Sequence, residues 1–390
     1  MAGKGTPELP SEWIDTPAAL EGLCRHLAQQ PWFALDTEFL REKTYYPRLC
    51  LVQVGTPERL ACIDPLALDD LAPLRPVLED RGIVKVVHAA HQDLEIFYHL
   101  FGRAPAPVFD TQIAAPLLGL RDQAGYGALV QHFLGIKLQK GHARTDWCRR
   151  PLSVAQVRYA ADDVRYLARV YPLLRGELER RGRLDWLAPD FEALVQAARF
   201  DQDPQEAWRR IKGAGRLRGR ARAALQALAA WREHQARRLD RPRRWILSDE
   251  VLLAIARLRP DSLETLASVR GLPPRTLREQ GQALLDALAG ADRAGPEAPP
   301  SRVPQPPLTP QQEALVDILT GVLRLLADAE SVHPSVLAVR RDLEQAVRGD
   351  RSGPLFQGWR YRLAGQALEE VLAGERCLRL AGGSVQWVDC

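Results

Sequence analysis

Short apolar runs and amphipathic stretches succeed one another along the first part of the chain in an order that predicts its elements. Trp32 to Asp36 (WFALD), Leu49 to Val54 (LCLVQV) and Leu60 to Ile63 are compact apolar runs, and their succession predicts three strands of an antiparallel meander. Leu71 to Glu79 has helical spacing, and Ile83 to Val87 (IVKVV) reads as a fourth strand. Asp93 to Phe101 then reads as a helix, Val108 and Phe109 as an edge strand, and Thr111 to Leu118 as a helix. Strands first, then strand and helix in alternation, predict a mixed α/β layer fold.

From Pro151 onward the strand signals vanish. Val154 to Arg180 carries helical periodicity throughout, and two further helical blocks run from about Pro204 to Leu288 and from about Pro310 to Glu375. Between them lies AGADRAGPEAPPSRVPQPPLTP, where proline density forbids regular structure and predicts an extended, semi-rigid linker. The reading is thus an α/β domain over 1–200, a helical domain over 204–290, a linker over 291–309, a second helical domain over 310–376 and a tail over 377–390. Leu378 to Val388 is expected to form a small hairpin or an unpaired tail.

Length supports this division, since 390 residues exceed one ordinary core. No apolar run of about 18 residues escapes a charge or proline, so no membrane span is expected. Met1 to Pro10 lacks the apolar stretch of a secretory signal, which predicts a cytoplasmic protein. The six cysteines (Cys24, Cys50, Cys62, Cys148, Cys377, Cys390) form no C-x-x-C pair, and buried free thiols are expected.

Net charge is only +4, but it is unevenly spread. Between Gln205 and Arg244 stand thirteen basic residues, among them Arg209, Arg210, Lys212, Arg216, Arg218 and Arg220, against three acids. Such an excess on one segment is the footprint of a phosphate-binding surface. Gln311 to Arg376 carries eight basic residues and ten acids, so the second block is not expected to share that role.

Candidate chemistry lies in three places. Asp36 and Glu38 stand two apart at the end of an apolar strand, where alternation points both carboxylates to one side. Two carboxylates held together repel unless a cation sits between them. Asp93 lies near the start of the next helix, in HAAHQDLEIF. Tyr159 and Asp163, at i and i+4 of the long helix, project together, while Asp162 is turned aside. Taken singly, each has a bland alternative: a polar strand end, a partner for the helix dipole, a solvated helix face.

In this order, D-T-E, H-x(4)-D-L-E-x-F and Y-x-x-x-D closely resemble the three exonuclease motifs of the DEDD nucleases, in their tyrosine-bearing subclass. The resemblance extends to TEFLREKTYYPRLCLVQVG, FDTQIAAPLLG and RTDWCRRPLSVAQVRYAADDVRYL, which look like the ribonuclease D family. AWRRIKGAGRL through SVRGL is similar to the HRDC domain, and HPSVLAVRRDLEQAV through LFQGWRYRLAGQAL looks like a second HRDC copy. The resemblance implies a ribonuclease-H-like exonuclease domain followed by two all-α HRDC-like domains. It also implies removal of nucleotides one at a time from the 3′ end of RNA, with precursor tRNA as the expected substrate.

Carried over by position, the resemblance makes Asp36, Glu38, Asp93 and Asp163 ligands of two divalent ions, Mg²⁺ or Mn²⁺, and Tyr159 the residue that orients the attacking water. Phe39 and Leu40 would wedge against terminal bases. Lys140, Arg144 and Arg149 flank Asp146-Trp147 before the third motif and are candidate phosphate contacts. His88 and His91 are read as structural or substrate-side residues. A monomer is expected. The rival readings are a DNA exonuclease, which the same motifs would serve, and an inactive protein that shields RNA ends.

Overall fold

The computed structural model describes residues 10–138, 141, 145–294 and 306–389. Its first domain is built on a six-stranded mixed sheet, β1 (Ser11–Ile14), β2 (Trp32–Leu40), β3 (Arg48–Gly55), β4 (Leu60–Ile63), β5 (Val84–Val87) and β6 (Val108–Asp110), in the order β1-β4-β3-β2-β5-β6. The expected meander is β2-β3-β4, antiparallel throughout, and β5 joins β2 in parallel. β6 is an edge strand, as its shortness suggested. β1, which pairs in parallel with β4, has no counterpart in the sequence reading.

Helices α1 (Pro17–Leu27), α2 (Arg75–Glu79) and α3 (His91–Phe101) cover one face, over a core that includes Leu23, Phe33, Val52, Val77 and Phe97. On the other face lie α4 (Thr111–Ala114), α5 (Tyr126–Leu134) and α6 (Val154–Arg180). Two expected helices are shorter than read. Prolines at 73 and 116 turn the start of the Leu71 to Glu79 stretch and the end of the Thr111 to Leu118 stretch into 3-10 turns.

The long helix α6 has the predicted bounds, and Ser153 and Gln156 close a capping box at its start. It crosses the sheet so closely that a Cβ on Gly55 would stand 2.9 Å from the carbonyl oxygen of Val164. Glycine at 55 is what lets this helix reach β3.

The cysteine expectation is corrected at Cys50, Cys148 and Cys377. Cys50 on β3 and Cys148, in the segment before α6, form a disulfide across 98 residues of sequence, and Cys377 is also disulfide-bonded. Cys24 and Cys62 are buried free thiols, as read. A pairing across so long a separation leaves no spacing signature.

After α7 (Ala188–Leu194) the first helical block comprises α8 (Gly219–Leu239), α9 (Arg243–Ile246), α10 (Asp249–Leu258), α11 (Leu263–Ala267) and α12 (Pro274–Ala294), packed on Leu225, Leu228, Leu252, Ile255 and Leu284. α12 continues to Ala294, into the segment read as linker. The block docks on the β2–β3 loop. Tyr45 donates to Glu233 (2.5 Å), Arg243 donates to the Tyr45 hydroxyl (3.0 Å), and Asp240 accepts from the backbone amides of Tyr45 and Tyr46.

The second block holds α13 (Pro310–Ala329), α14 (Arg340–Val347), α15 (Gly358–Arg360) and α16 (Gln366–Ala373). Its core is continuous with the one under α5 and α6. Trp359 stacks on Trp186 at 4.6 Å, and the nearly buried Arg183 donates to the carbonyls of Leu117 and Glu330. Of the two tail expectations the hairpin is found, as β7 (Arg376–Ala381) and β8 (Ser384–Asp389).

Candidate active site

Three elements bring the motif carboxylates together. On β2, Asp36 and Glu38 lie opposite Gln53 and Leu51 of β3 and share the face covered by α6, while Thr37 between them points the other way. There the Thr37 hydroxyl donates to the carboxylate of Asp93, in the first turn of α3. A bulge between Glu38 and Phe39 ends the regular register directly after the second carboxylate.

From α6 come Tyr159 and Asp163, one turn apart. The hydroxyl of Tyr126 on α5 donates to the backbone carbonyls of Asp162 and Asp163 and fixes that turn. Asp162 pairs with Arg165 yet lines the same cleft as Asp163, so it is turned aside less than its helical position suggested. Tyr159 and Asp163 line an open cleft of about 460 Å³ together with Lys137, Arg158 and Tyr166.

The electrostatics are those of crowded acids in a half-buried place. Burial, then the charges of Asp93, Asp163 and Glu38, raise Asp36 well above the ordinary carboxylate range. Burial and the facing carboxylates Asp163 and Asp93 push Glu38 to about 8. Asp163 rises to about 7 through burial and Asp162, and Asp93 to about 6 through burial, opposed by the Thr37 hydrogen bond. Tyr159 is pushed to about 12 by burial and by the same acids, and so stays a phenol at neutral pH. This donor set suits a hard divalent cation, which would relieve the repulsion all four share. As the side chains stand, no group of three or more His, Cys, Asp or Glu among the described residues is gathered tightly enough to hold a metal ion.

One supporting residue escaped the sequence reading. Asp110, at the end of β6, accepts from the amides of Ala89 (3.0 Å), Ala90 (3.1 Å) and Gln112 (2.8 Å). It thereby fixes the turn that starts α3, where Ala89 has φ of 58°. The signal was an aspartate before Thr111 at a helix start, an N-cap pattern. His88 Nδ1 pairs with Thr111 Oγ1 at 2.9 Å, Nε2 is buried without a hydrogen-bond partner among the described residues, and burial lowers the pKa of the ring.

The remaining candidates are scattered. Phe39 packs at the margin of the α1–α3 core and Leu40 beside Trp147, both half-buried. Arg149 is exposed, and Lys140 and Arg144 lie outside the described residues. On the first helical block Arg209 pairs with Glu206, while Arg210, Lys212, Arg216, Arg218 and Arg220 are exposed. Three other members of the basic run are held internally: Arg232 is buried against Asp249, and Arg237 and Arg243 join the Tyr45–Glu233 contact. The exposed basic surface is therefore smaller than the sequence count implied.

Comparison with known proteins agrees with this geometry. Residues 11–179 match the family model described as 3′-5′ exonuclease, and residues 221–288 match the HRDC domain. The ribonuclease D of Acidiphilium cryptum is 41% identical over 391 aligned residues, covering 99% of each chain. The chain belongs to the ribonuclease D family. The ribonuclease D of Pseudomonas paraeruginosa is also 41% identical, over 94% of this chain and 98% of its own. The crystal structure of Escherichia coli RNase D, described as an exoribonuclease involved in structured RNA processing, superposes with a TM-score of 0.78 at 35% identity, covering 94% of this chain and 99% of that one. As a ribonuclease D the chain is a hydrolase, a 3′-5′ exoribonuclease of a family that depends on divalent metal.

Proposed function

We propose that the chain trims the 3′ ends of precursor tRNA and other structured RNAs, releasing 5′-mononucleotides, with Asp36, Glu38, Asp93, Asp163 and Tyr159 as its catalytic residues. The observation that carries this is that four acids from β2, α3 and α6 stand close enough to raise one another's pKa, with Tyr159 beside three of them. Asp36, Glu38 and Asp163 would hold one Mg²⁺ or Mn²⁺ ion, with Asp36 and Asp93 holding a second. Bound there, the ions would supply a nucleophile at neutral pH and stabilise the charge that builds on the phosphodiester.

The chain's own residues supply position. Tyr159, protonated at working pH, donates a hydrogen bond that orients the attacking water. Tyr126 and Thr37 fix the backbone of Asp163 and the carboxylate of Asp93. Phe39 and Leu40 follow the β2 acids in sequence and would meet the terminal bases. Lys140, Arg144 and Arg149, with Arg209, Arg210, Lys212, Arg216, Arg218 and Arg220, would bind phosphates along the RNA body.

In this reading the second helical block is a further HRDC-like domain whose role is to brace α6, since its contacts are spent on the nuclease domain. The chain acts as a monomer in the cytoplasm, and among the described residues no helix is long and apolar enough to cross a membrane. Incubation with a precursor tRNA bearing a 3′ extension, in Mg²⁺, should shorten the extension and release 5′-mononucleotides. An intact extension beside a degraded unstructured RNA would contradict the tRNA assignment alone.

A further inference from the structure

A cavity of about 640 Å³ lies between the outer face of α3, the β2–β3 loop and the start of the first helical block. Asp93 occupies the inner face of α3, and His91, Glu95 and His99 occupy the outer one, as the helical period requires. The cavity is therefore separated from Asp93 by the width of α3, ~10 Å. It is none of the catalytic cleft, yet a strand only a few nucleotides long spans that distance.

Its charges are unbalanced. Five arginines line it against two carboxylates, Glu95 and Asp201. Arg41 makes a two-pronged bond to Glu95 (2.7 and 2.9 Å), Arg237 pairs with Asp201 (3.2 Å), and Arg243 with the buried Glu233 (2.5 Å). Arg199 and Arg210 make no salt bridge among the described residues, and both are exposed. Two guanidinium groups at the cavity are thus left free to take an anion.

Aromatic rings stand beside these charges. The exposed His91 stacks on Phe200, with ring centroids 5.7 Å apart and planes 24° apart, and Tyr46 meets His99 edge-on at 4.6 Å. Guanidinium groups beside an open ring face are the chemistry that binds a nucleotide, phosphate on the cation and base on the ring. The cavity volume lies within the range of small-ligand sites.

We infer that this cavity is a second nucleotide site, which holds a nucleotide of the RNA strand upstream of the reacting 3′ end. Its phosphate sits on Arg199 and Arg210, and its base lies against the outer face of α3 near His91. The inference rests on the exoribonuclease reading, because it needs a strand anchored at the catalytic acids. The junction of the two domains then takes part in substrate binding, since an RNA long enough to reach the cavity is gripped twice.

The test is fluorescence anisotropy with 5′-labelled single-stranded oligoribonucleotides, a trinucleotide and a dodecamer, in Mg²⁺. Asp36→Asn is used as the background so that the RNA survives. Adding Arg199→Ala should lower the ratio of dodecamer to trinucleotide affinity about tenfold, the expected loss for one charge-assisted contact. Arg210→Ala should lower the same ratio. A ratio equal to that of Asp36→Asn alone overturns the inference, as does a loss shared equally by both lengths. Loss of 5′-AMP binding with dodecamer affinity unchanged would assign the site to a free nucleotide and overturn it as well. Wild-type protein that binds the dodecamer without shortening it would sink the exonuclease reading, while the length comparison would still decide the cavity.

Discussion

Asp36 on β2 and Gln53 on β3 stand directly opposite one another, so their side chains share the face of the sheet that α6 covers. Gln53 is fully buried, and neither polar atom of its amide has a hydrogen-bond partner among the described residues. Such a group costs about 1–3 kcal/mol, which stability alone does not justify. Its place opposite Asp36 accounts for it, because an amide left free can turn to the carboxylate once the site is filled. Gln53→Leu is expected to leave Tm unchanged or raised and to lower kcat about tenfold at constant KM. Thermal melts and steady-state kinetics check it; a full kcat would remove Gln53 from the account.

The raised carboxylates predict how the metal-free protein responds to pH. In the unfolded chain these acids ionise near pH 4, whereas in the native site Asp93 holds its proton to about 6, Asp163 to about 7 and Glu38 to about 8. Between those limits the native state binds more protons than the unfolded one, so stability falls as pH rises from about 4 through about 8. Mg²⁺, which replaces the protons, should raise Tm most at the alkaline end. Melts in EDTA and in Mg²⁺ across this window check both trends, and a metal effect independent of pH would count against four coupled acids.

Particular residues show what could be read in advance. The pairings of Asp36 with Glu38 and of Tyr159 with Asp163 were legible because strand alternation and helical period impose them whatever the tertiary detail, whereas Asp93 was singled out only by the family resemblance. Val154 to Arg180 was legible for the same reason. Ser11–Ile14 was not, since four residues without alternation become a strand only beside β4. Neither the Cys50–Cys148 bond nor the docking of Asp240 on Tyr45 has any local signal, each joining residues far apart in sequence. The basic run was visible, but not that Arg232, Arg237 and Arg243 are committed internally.

Tyr45 and Glu233 clasp the two domains. Glu233 is 2% exposed and neutralises Arg243, so Glu233→Ala leaves a half-buried guanidinium without its acid. The expected loss is about 3 kcal/mol. Tyr45→Phe removes one hydrogen bond and should cost about 1 kcal/mol. Urea unfolding of both single variants and the double variant checks this, and strictly additive losses would mean the two groups do not interact.

Trp359 holds the second helical block by stacking on Trp186 and donating its indole nitrogen to the Trp186 carbonyl at 3.2 Å. Trp359→Ala should destabilise by about 3–5 kcal/mol. Limited proteolysis should then release a fragment covering the second block. Unchanged protease resistance would show that other contacts suffice.

The most direct test of the central claim is a time course on a 5′-labelled RNA with an unpaired 3′ end, in Mg²⁺ or Mn²⁺ and in EDTA, for wild type, Asp36→Asn and Tyr159→Phe. A ladder that shortens from the 3′ end in metal alone, is absent in Asp36→Asn and is slowed at least tenfold in Tyr159→Phe is the predicted result. Intact RNA with wild type in both metals, or equal ladders from wild type and Asp36→Asn, would contradict it.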